Sequence, residues 1–170
     1  MRIDKIIKNL GRESLEELVR VLYKNINTVD GLWFLFVEDA HGLDESTRID
    51  REVWKIMGKV EARRIKQAIN LKESHSINLL EKMIPFISWL TPDEYEIKRE
   101  KDQLNLKVLR CRPQEERLKS GRKVFECKGV TEAYFSAFIN EIDPNLGCEC
   151  LLCPLGSKPA SYWCEWKFKR

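Results

Sequence analysis

The apolar residues of this 170-residue chain change their period once, at Pro92. Before that point they recur every three or four positions. After it come YEIKRE and LNLKVLRC, each alternating in steps of two. The first spacing lines one face of a helix and the second lines one face of a strand. An α+β fold is therefore expected, with an N-terminal helical part over residues 1-90. An α+β part over residues 91-170 should follow, holding a four-stranded antiparallel sheet and two helices. At this length the two parts are expected to form one compact unit.

In the helical part, Ile3, Ile6, Ile7 and Leu10 have helical spacing and stop at Gly11. Ser14 and Glu17 read as a capping box ahead of Leu15, Leu18, Val19 and Leu22. Asp30 and Gly31 read as a break that opens LWFLFV, closed by Gly42. A run this apolar predicts a helix buried on most sides. A long helix is expected from about Thr47 to Asn70, with Val53, Trp54, Met57, Val60, Ile65, Ala68 and Ile69 as its stripe. A shorter one covers Ile77 to Ile84, before Pro85.

Beyond Pro92, KDQ separates two hairpin strands. Pro113 fits the first turn of a short helix, PQEERLKSG, that ends at Gly121. Val130, Tyr134, Phe135, Phe138, Ile139 and Ile142 mark another helix, which Asp143 and Pro144 terminate. CECLL and YWCEWKFK supply the last two strands.

Charge and motif content exclude several function classes. Acids and bases are interspersed and the net charge is only +3. A nucleic-acid binder would carry a basic stripe, and the terminal KFKR reads as a solvated strand end. No nucleic-acid partner is expected. The N-terminus lacks the pattern of a secretory signal and no apolar run is long enough for a membrane span, so a cytoplasmic protein without membrane contact is expected. HExxH, G-x-S-x-G, P-loop and dinucleotide motifs are all missing, which leaves the common hydrolase and nucleotide chemistries without support.

Four of the six cysteines lie in GCECLLCPLGSKPASYWCEW. In a reducing compartment they do not read as a disulfide framework. Cys148, Cys150, Cys153 and Cys164 follow the pattern C-x-C-x2-C-x10-C, and thiolate sulfur suits zinc or iron–sulfur centres. Three readings stay open: metal ligands, reactive thiols, or small apolar fillers of a core. A fourth ligand could be Cys148, Cys127 or Cys111. In a regular strand Cys148 and Cys150 share a face and Cys153 lies on the other, unless the chain bends near Pro154. In the last strand Cys164, Trp166 and Phe168 alternate with Glu165 and Lys167 as core residues do.

Glu61 and Arg64 sit three apart, suited to an ion pair at the core edge or to a ligand pocket. Gln114 and Arg117 share a face of the short helix, either solvated or able to meet an anion. His41, before Gly42, reads as a helix-end contact. Trp163 alternates onto the side of Glu165 and Lys167, where exposure would mark a homodimer face.

Taken in order, DGLWF (30–34), VE (37–38), DREVW (50–54), EARR (61–64), CRPQEER (111–117), GRKVFECK (121–128), CLLCP (150–154) and WCEWKF (163–168) resemble an uncharacterised family of small prokaryotic cytosolic proteins. The likeness runs from about residue 15 to residue 170. The C-terminal half is similar, more weakly, to 4-vinyl reductase-type ligand-binding domains and to the L-2-amino-thiazoline-4-carboxylic acid hydrolase family. The family likeness implies cysteines at positions 111, 127, 150, 153 and 164, and leaves Cys148 as a core residue. The similarity to vinyl reductase-type domains points towards small-molecule sensing with a cysteine-bound metal. A metal-binding or small-ligand-binding, sensing protein is therefore expected, with Cys127, Cys150, Cys153 and Cys164 on the metal and Cys111 in reserve. Zinc is the expected ion, and an iron–sulfur centre ranks behind it. The alternative is a thiol- or metal-dependent enzyme acting on a small molecule. The family continues its C-x2-C with Pro-Pro-Asp, whereas Pro154, Leu155 and Gly156 follow here, so this loop brings no carboxylate.

Overall fold

A computed structural model describes residues 3–70, 75–91, 93–159 and 161–170. Helices take up the first half: α1 (Ile3–Asn9), α2 (Arg12–His41), α3 (Leu43–Ala68) and α4 (Ser76–Met83), the last running into a 3-10 turn at Ile84–Phe86. The hairpin β1 (Glu94–Glu100) and β2 (Gln103–Arg110) comes next, then α5 (Arg112–Lys119), α6 (Lys128–Asn140), β3 (Gly147–Leu152) and β4 (Cys164–Lys169). The sheet has the order β1-β2-β4-β3, with every neighbouring pair antiparallel. This is the α+β arrangement that the change of period at Pro92 predicts.

The helical part differs from expectation in three places. First, α2 passes unbroken through Asp30 and Gly31. One interior glycine costs a helix only about 1 kcal/mol, and packing of Asn27 and Phe34, the buried residues on either side, outweighs it. Second, Ser14 does not cap α2. The helix already begins at Arg12, behind an extended Gly11, and no side chain caps it. Third, LWFLFV is not buried on most sides. Phe34 faces inward, but Leu32, Trp33 and Phe36 are 50%, 48% and 71% exposed.

The stripe of α3 is displaced for a related reason. Its buried residues are Ser46, Asp50, Gly58, Glu61, Ala62 and Ile65, while Val53 is exposed. α3 packs chiefly on α6, and the crossing is so close that a Cβ on Gly58 would collide with the Tyr134 carbonyl oxygen. Only glycine allows this approach, and it turns the Gly58 face of α3 inward.

The core fills the space between the helices and one face of the sheet. Leu104, Leu106 and Val108 of β2 and Trp166 and Phe168 of β4 meet Tyr134, Phe135 and Phe138 of α6. Phe135 packs tilted against Trp166 and edge-on to Phe168, with centroids 5.3 and 5.0 Å apart. Trp163 does not reach the solvent side. It is 2% exposed, one residue ahead of β4, with its backbone N–H donated to the Val108 carbonyl at 2.8 Å. The alternation that would have exposed it starts only at Cys164, so this residue provides no dimer face.

Candidate functional site

Where α2, α3 and α5 meet the paired ends of β2 and β4, the chain encloses a cavity of about 460 Å³. Its walls are mainly aromatic and aliphatic: Phe34, Trp54, Trp89, Phe125, Val130 and Tyr134. Trp54 and Trp89 both stand edge-on to the Tyr134 ring, each with a centroid separation of 5.8 Å. Three carboxylates interrupt these walls, Asp30 from α2, Asp50 from α3 and Asp93 from the turn before β1.

Each of these acids is held away from its ordinary state. Burial pushes Asp50 up to about 8, and the neighbouring Asp30 charge adds to the shift. Burial pushes Asp30 itself up to about 6. The neighbouring Trp54 side chain favours the charged forms of both without cancelling the desolvation. Asp93 is pushed up to about 7, again by burial. Its Oδ1 accepts the Arg112 backbone N–H at 2.8 Å, while its Oδ2 is buried with no hydrogen-bond partner among the described residues.

α5 closes one side of the cavity through Gln114 and Arg117, which are buried rather than solvated. Gln114 is clipped to one residue at both ends. Its Nε2 donates to the Phe125 carbonyl at 2.9 Å and its Oε1 accepts the Phe125 N–H at 3.2 Å. Arg117 forks onto Glu38 of α2 at 2.5 and 3.0 Å, and its Nε donates to the Lys123 carbonyl at 2.9 Å. The guanidinium also lies over Phe34 and Phe125, and it holds the Glu38 carboxyl below the usual range. Its charge is thus occupied by the protein rather than offered to an anion.

Glu61 and Arg64 do not form the expected unit. Glu61 is buried, accepting the Ser88 N–H at 2.9 Å and the Tyr134 hydroxyl at 2.6 Å. It supports the cavity from behind Tyr134 rather than lining it. Arg64 is exposed and stands outside the cavity wall. At the end of α2, the Gly42 N–H donates to the Glu38 carbonyl at 2.8 Å and closes the helix after His41.

The cysteines meet at the cavity's edge. Cys111, Cys127 and Cys164 line it, and Cys153 is near enough to Cys127, Cys164 and Cys150 for their thiols to influence it. A register shift makes this convergence work. Cys150 pairs with Trp166 and Leu152 with Glu165, so Leu151 is an extra residue in β3. A bulge of this kind returns the following side chain to the other face. Cys153 therefore rejoins the side of Cys150, as no regular strand would allow. The neighbouring Cys127 thiol, followed by Cys164, pushes the Cys153 thiol up, and Cys153 in turn brings Cys127 down. Burial pushes Cys111 up, and Cys148 up to about 12. Among the described residues no group of three or more His, Cys, Asp or Glu side chains is arranged to hold a metal ion. As it stands the cluster is a hub of neighbouring free thiols.

The motif order that suggested an uncharacterised family can now be placed. A family model described as a family of unknown function matches residues 8–170. The chain belongs to that family, DUF6125. No curated protein matches this DUF6125 chain. Among solved structures it is similar to a trafficking protein particle complex subunit 3 from Naegleria fowleri, covalently bound to palmitic acid. The TM-score is 0.54 at 10% identity, over 88% of this chain and 95% of the other. That likeness establishes a shared fold. No helix of the described residues is long and apolar enough to cross a membrane.

Nothing in the spacing of Asp30, Asp50 and Asp93 foretells that they share a cavity. A usable signal was the Asp50–Trp54 pair, one helical turn apart on α3, where an acid and an indole face the same way.

Proposed function

We propose that this protein binds a small, largely apolar molecule in the cavity between α2, α3, α5 and the sheet. The observation that carries this reading is the cavity itself. Its volume lies in the roughly 300–1,000 Å³ range of ligand pockets, and a few polar groups converge inside aromatic walls. The palmitic acid of the Naegleria subunit supports it, because a protein of the same fold is covalently bound to an apolar chain. The weaker likeness to vinyl reductase-type domains points the same way, towards small-molecule sensing.

Titration with a neutral apolar fluorophore, N-phenylnaphthylamine, tests the reading. Gly31 lies at the cavity and a Cβ added there meets nothing within 4 Å. Gly31→Leu should therefore fold at least as well while obstructing the site. Saturable fluorescence enhancement in the wild type, lost in Gly31→Leu, is the expected result. Equal enhancement in both proteins, or none in either, overturns it.

The same reading places a zinc ion on Cys127, Cys150, Cys153 and Cys164, with Cys111 in reserve. Soft donors converging on Cys153 support it, and loss of the thiol protons would let the hub contract into a shell. Elemental analysis after zinc reconstitution should give about one ion per chain, falling in the Cys153→Ser variant. Below about 0.2 zinc or iron per chain, the assignment fails. The rival, a thiol enzyme, rests on Cys127, the cavity-lining thiol whose pKa is lowered. Selective alkylation of Cys127 by iodoacetamide at neutral pH would favour it.

A homodimer is also part of the proposal, through α2 rather than Trp163. Val19, Leu22, Ile26, Val29, Trp33 and Phe36 are all exposed and alternate in steps of three and four. That is the seam of a coiled coil, and its natural complement is a helix with the same repeat. An open groove beside it, lined by Val53, Ile56 and Met57 of α3, widens the face. A second copy supplies both. Light scattering should report a dimer that Val29→Glu converts to monomer, and a wild-type monomer at high concentration would exclude it.

A further inference from the structure

The polar groups of the cavity are unevenly charged. Asp30, Asp50 and Asp93 face it, with Glu116 at its edge, against Arg112 and Arg117. Arg117 is taken up by Glu38, the Lys123 carbonyl and two aromatic faces. Arg112 is then the cation left to serve the acids, and its charge acts on both Asp30 and Asp93. The donors that act on these acids are few, and the Trp54 indole influences both Asp30 and Asp50. Asp93 is 9% exposed, and among the described residues its Oδ2 has no hydrogen-bond partner, as the buried Nε of Arg112 has none.

A buried acceptor without a donor is costly, and native structures rarely retain one without a reason. The missing complement is a group that brings several N–H donors and a positive charge. The walls suit such a group as well, because the faces of tryptophan and tyrosine attract cations. An anion could meet the unpartnered Nε of Arg112, but only beside three acidic side chains. A bare metal ion lacks the required geometry among the described residues.

We propose that the ligand of this cavity is an apolar-bodied organic cation, an ammonium or amidinium whose head meets Asp30, Asp50 and Asp93 while its body lies against Trp54 and Trp89. This rests on the ligand-binding reading above and narrows it to one charge class.

The test uses three probes that share a body and differ in head group: phenylbutylamine, phenylbutanol and phenylbutyrate. Calorimetry at neutral pH should give the amine at least about tenfold tighter binding than the alcohol, with no heat from the carboxylate. Asp93→Asn should weaken the amine by about tenfold and leave the alcohol unchanged, a pattern that misfolding cannot produce. Alcohol or carboxylate binding as tight as the amine, abolished by Gly31→Leu, overturns the charge inference and leaves the pocket intact. Failure of all three probes at millimolar concentration overturns both.

Discussion

Replacing Gly58 by alanine should destabilise the protein, even though alanine is the better helix former. In an open helix the change would gain about 1 kcal/mol. At Gly58 the new Cβ would run into the Tyr134 carbonyl oxygen and lie 3.2 and 3.3 Å from its C and Cα. These are backbone atoms of α6, and α6 is fixed by Phe135 and Phe138 in the core, so no flexible side chain can yield. Pushing the two helices apart belongs at the upper end of overpacking costs, about 3 kcal/mol. The net loss is then about 2 kcal/mol, which lowers the melting temperature by roughly 4–8 °C for a chain of this size. Gly31→Ala supplies the internal control. It too lies inside a helix, but a Cβ there meets nothing within 4 Å. It should raise the melting temperature by about 2 °C. Circular dichroism melts of the two variants beside the wild type decide the matter. If Gly58→Ala melts at or above the wild type, the close crossing of α3 and α6 is refuted.

Three further outcomes are expected. The folded pKa values of Asp30, Asp50 and Asp93 are raised to about 6, 8 and 7, so their protons are bound more tightly in the folded state. Their contribution is complete below the unfolded carboxylate range and is lost as pH rises through those values. Stability should therefore fall from about pH 4 to pH 8, and Asp50→Asn should flatten the upper part of that slope, as urea midpoints would show. Arg117→Ala leaves Glu38 without its bidentate partner at the α2–α5 contact and should cost about 3 kcal/mol in urea denaturation. A loss below about 0.5 kcal/mol would show that the pair contributes little. Tyr134→Phe removes the 2.6 Å hydrogen bond to buried Glu61 and should cost about 1–3 kcal/mol. An unchanged midpoint would mean that Glu61 does not depend on it.

The elements were legible in the sequence wherever one periodicity dominated. The β1–β2 hairpin, α5 with Pro113 in its first turn, and α6 fall where their apolar spacing puts them. The errors came where a local signal was outvoted by packing. Asp30 and Gly31 are good turn residues, yet a 30-residue helix runs straight through them. Trp33 and Phe36 are apolar enough for a core, but α2 turns that side outward. The thiol hub was hidden for a different reason. Alternation separates Cys150 from Cys153, and the extra Leu151 that reunites them has no sequence signature of its own. The acids of the cavity lie on three separate elements, so only the fold brings them together. Gln114 and Arg117 were visible as a shared face, but not that both would be bound by the protein's own groups.

α2 presents two faces that are one residue out of step. Asn27, Asp30 and Phe34 look into the cavity, and Ile26, Val29 and Trp33 belong to the exposed stripe. A rigid helix cannot rotate one of these rows and leave the other in place. Any ligand that draws Asp30 inward must turn Val29 and Trp33 through the same angle. With the proposed ligand and the proposed dimer, linkage would make the effect reciprocal: whatever factor occupancy applied to self-association, self-association would apply to occupancy. A single helix would give this protein a means of reporting a small molecule as a change in assembly, with no dedicated signalling segment.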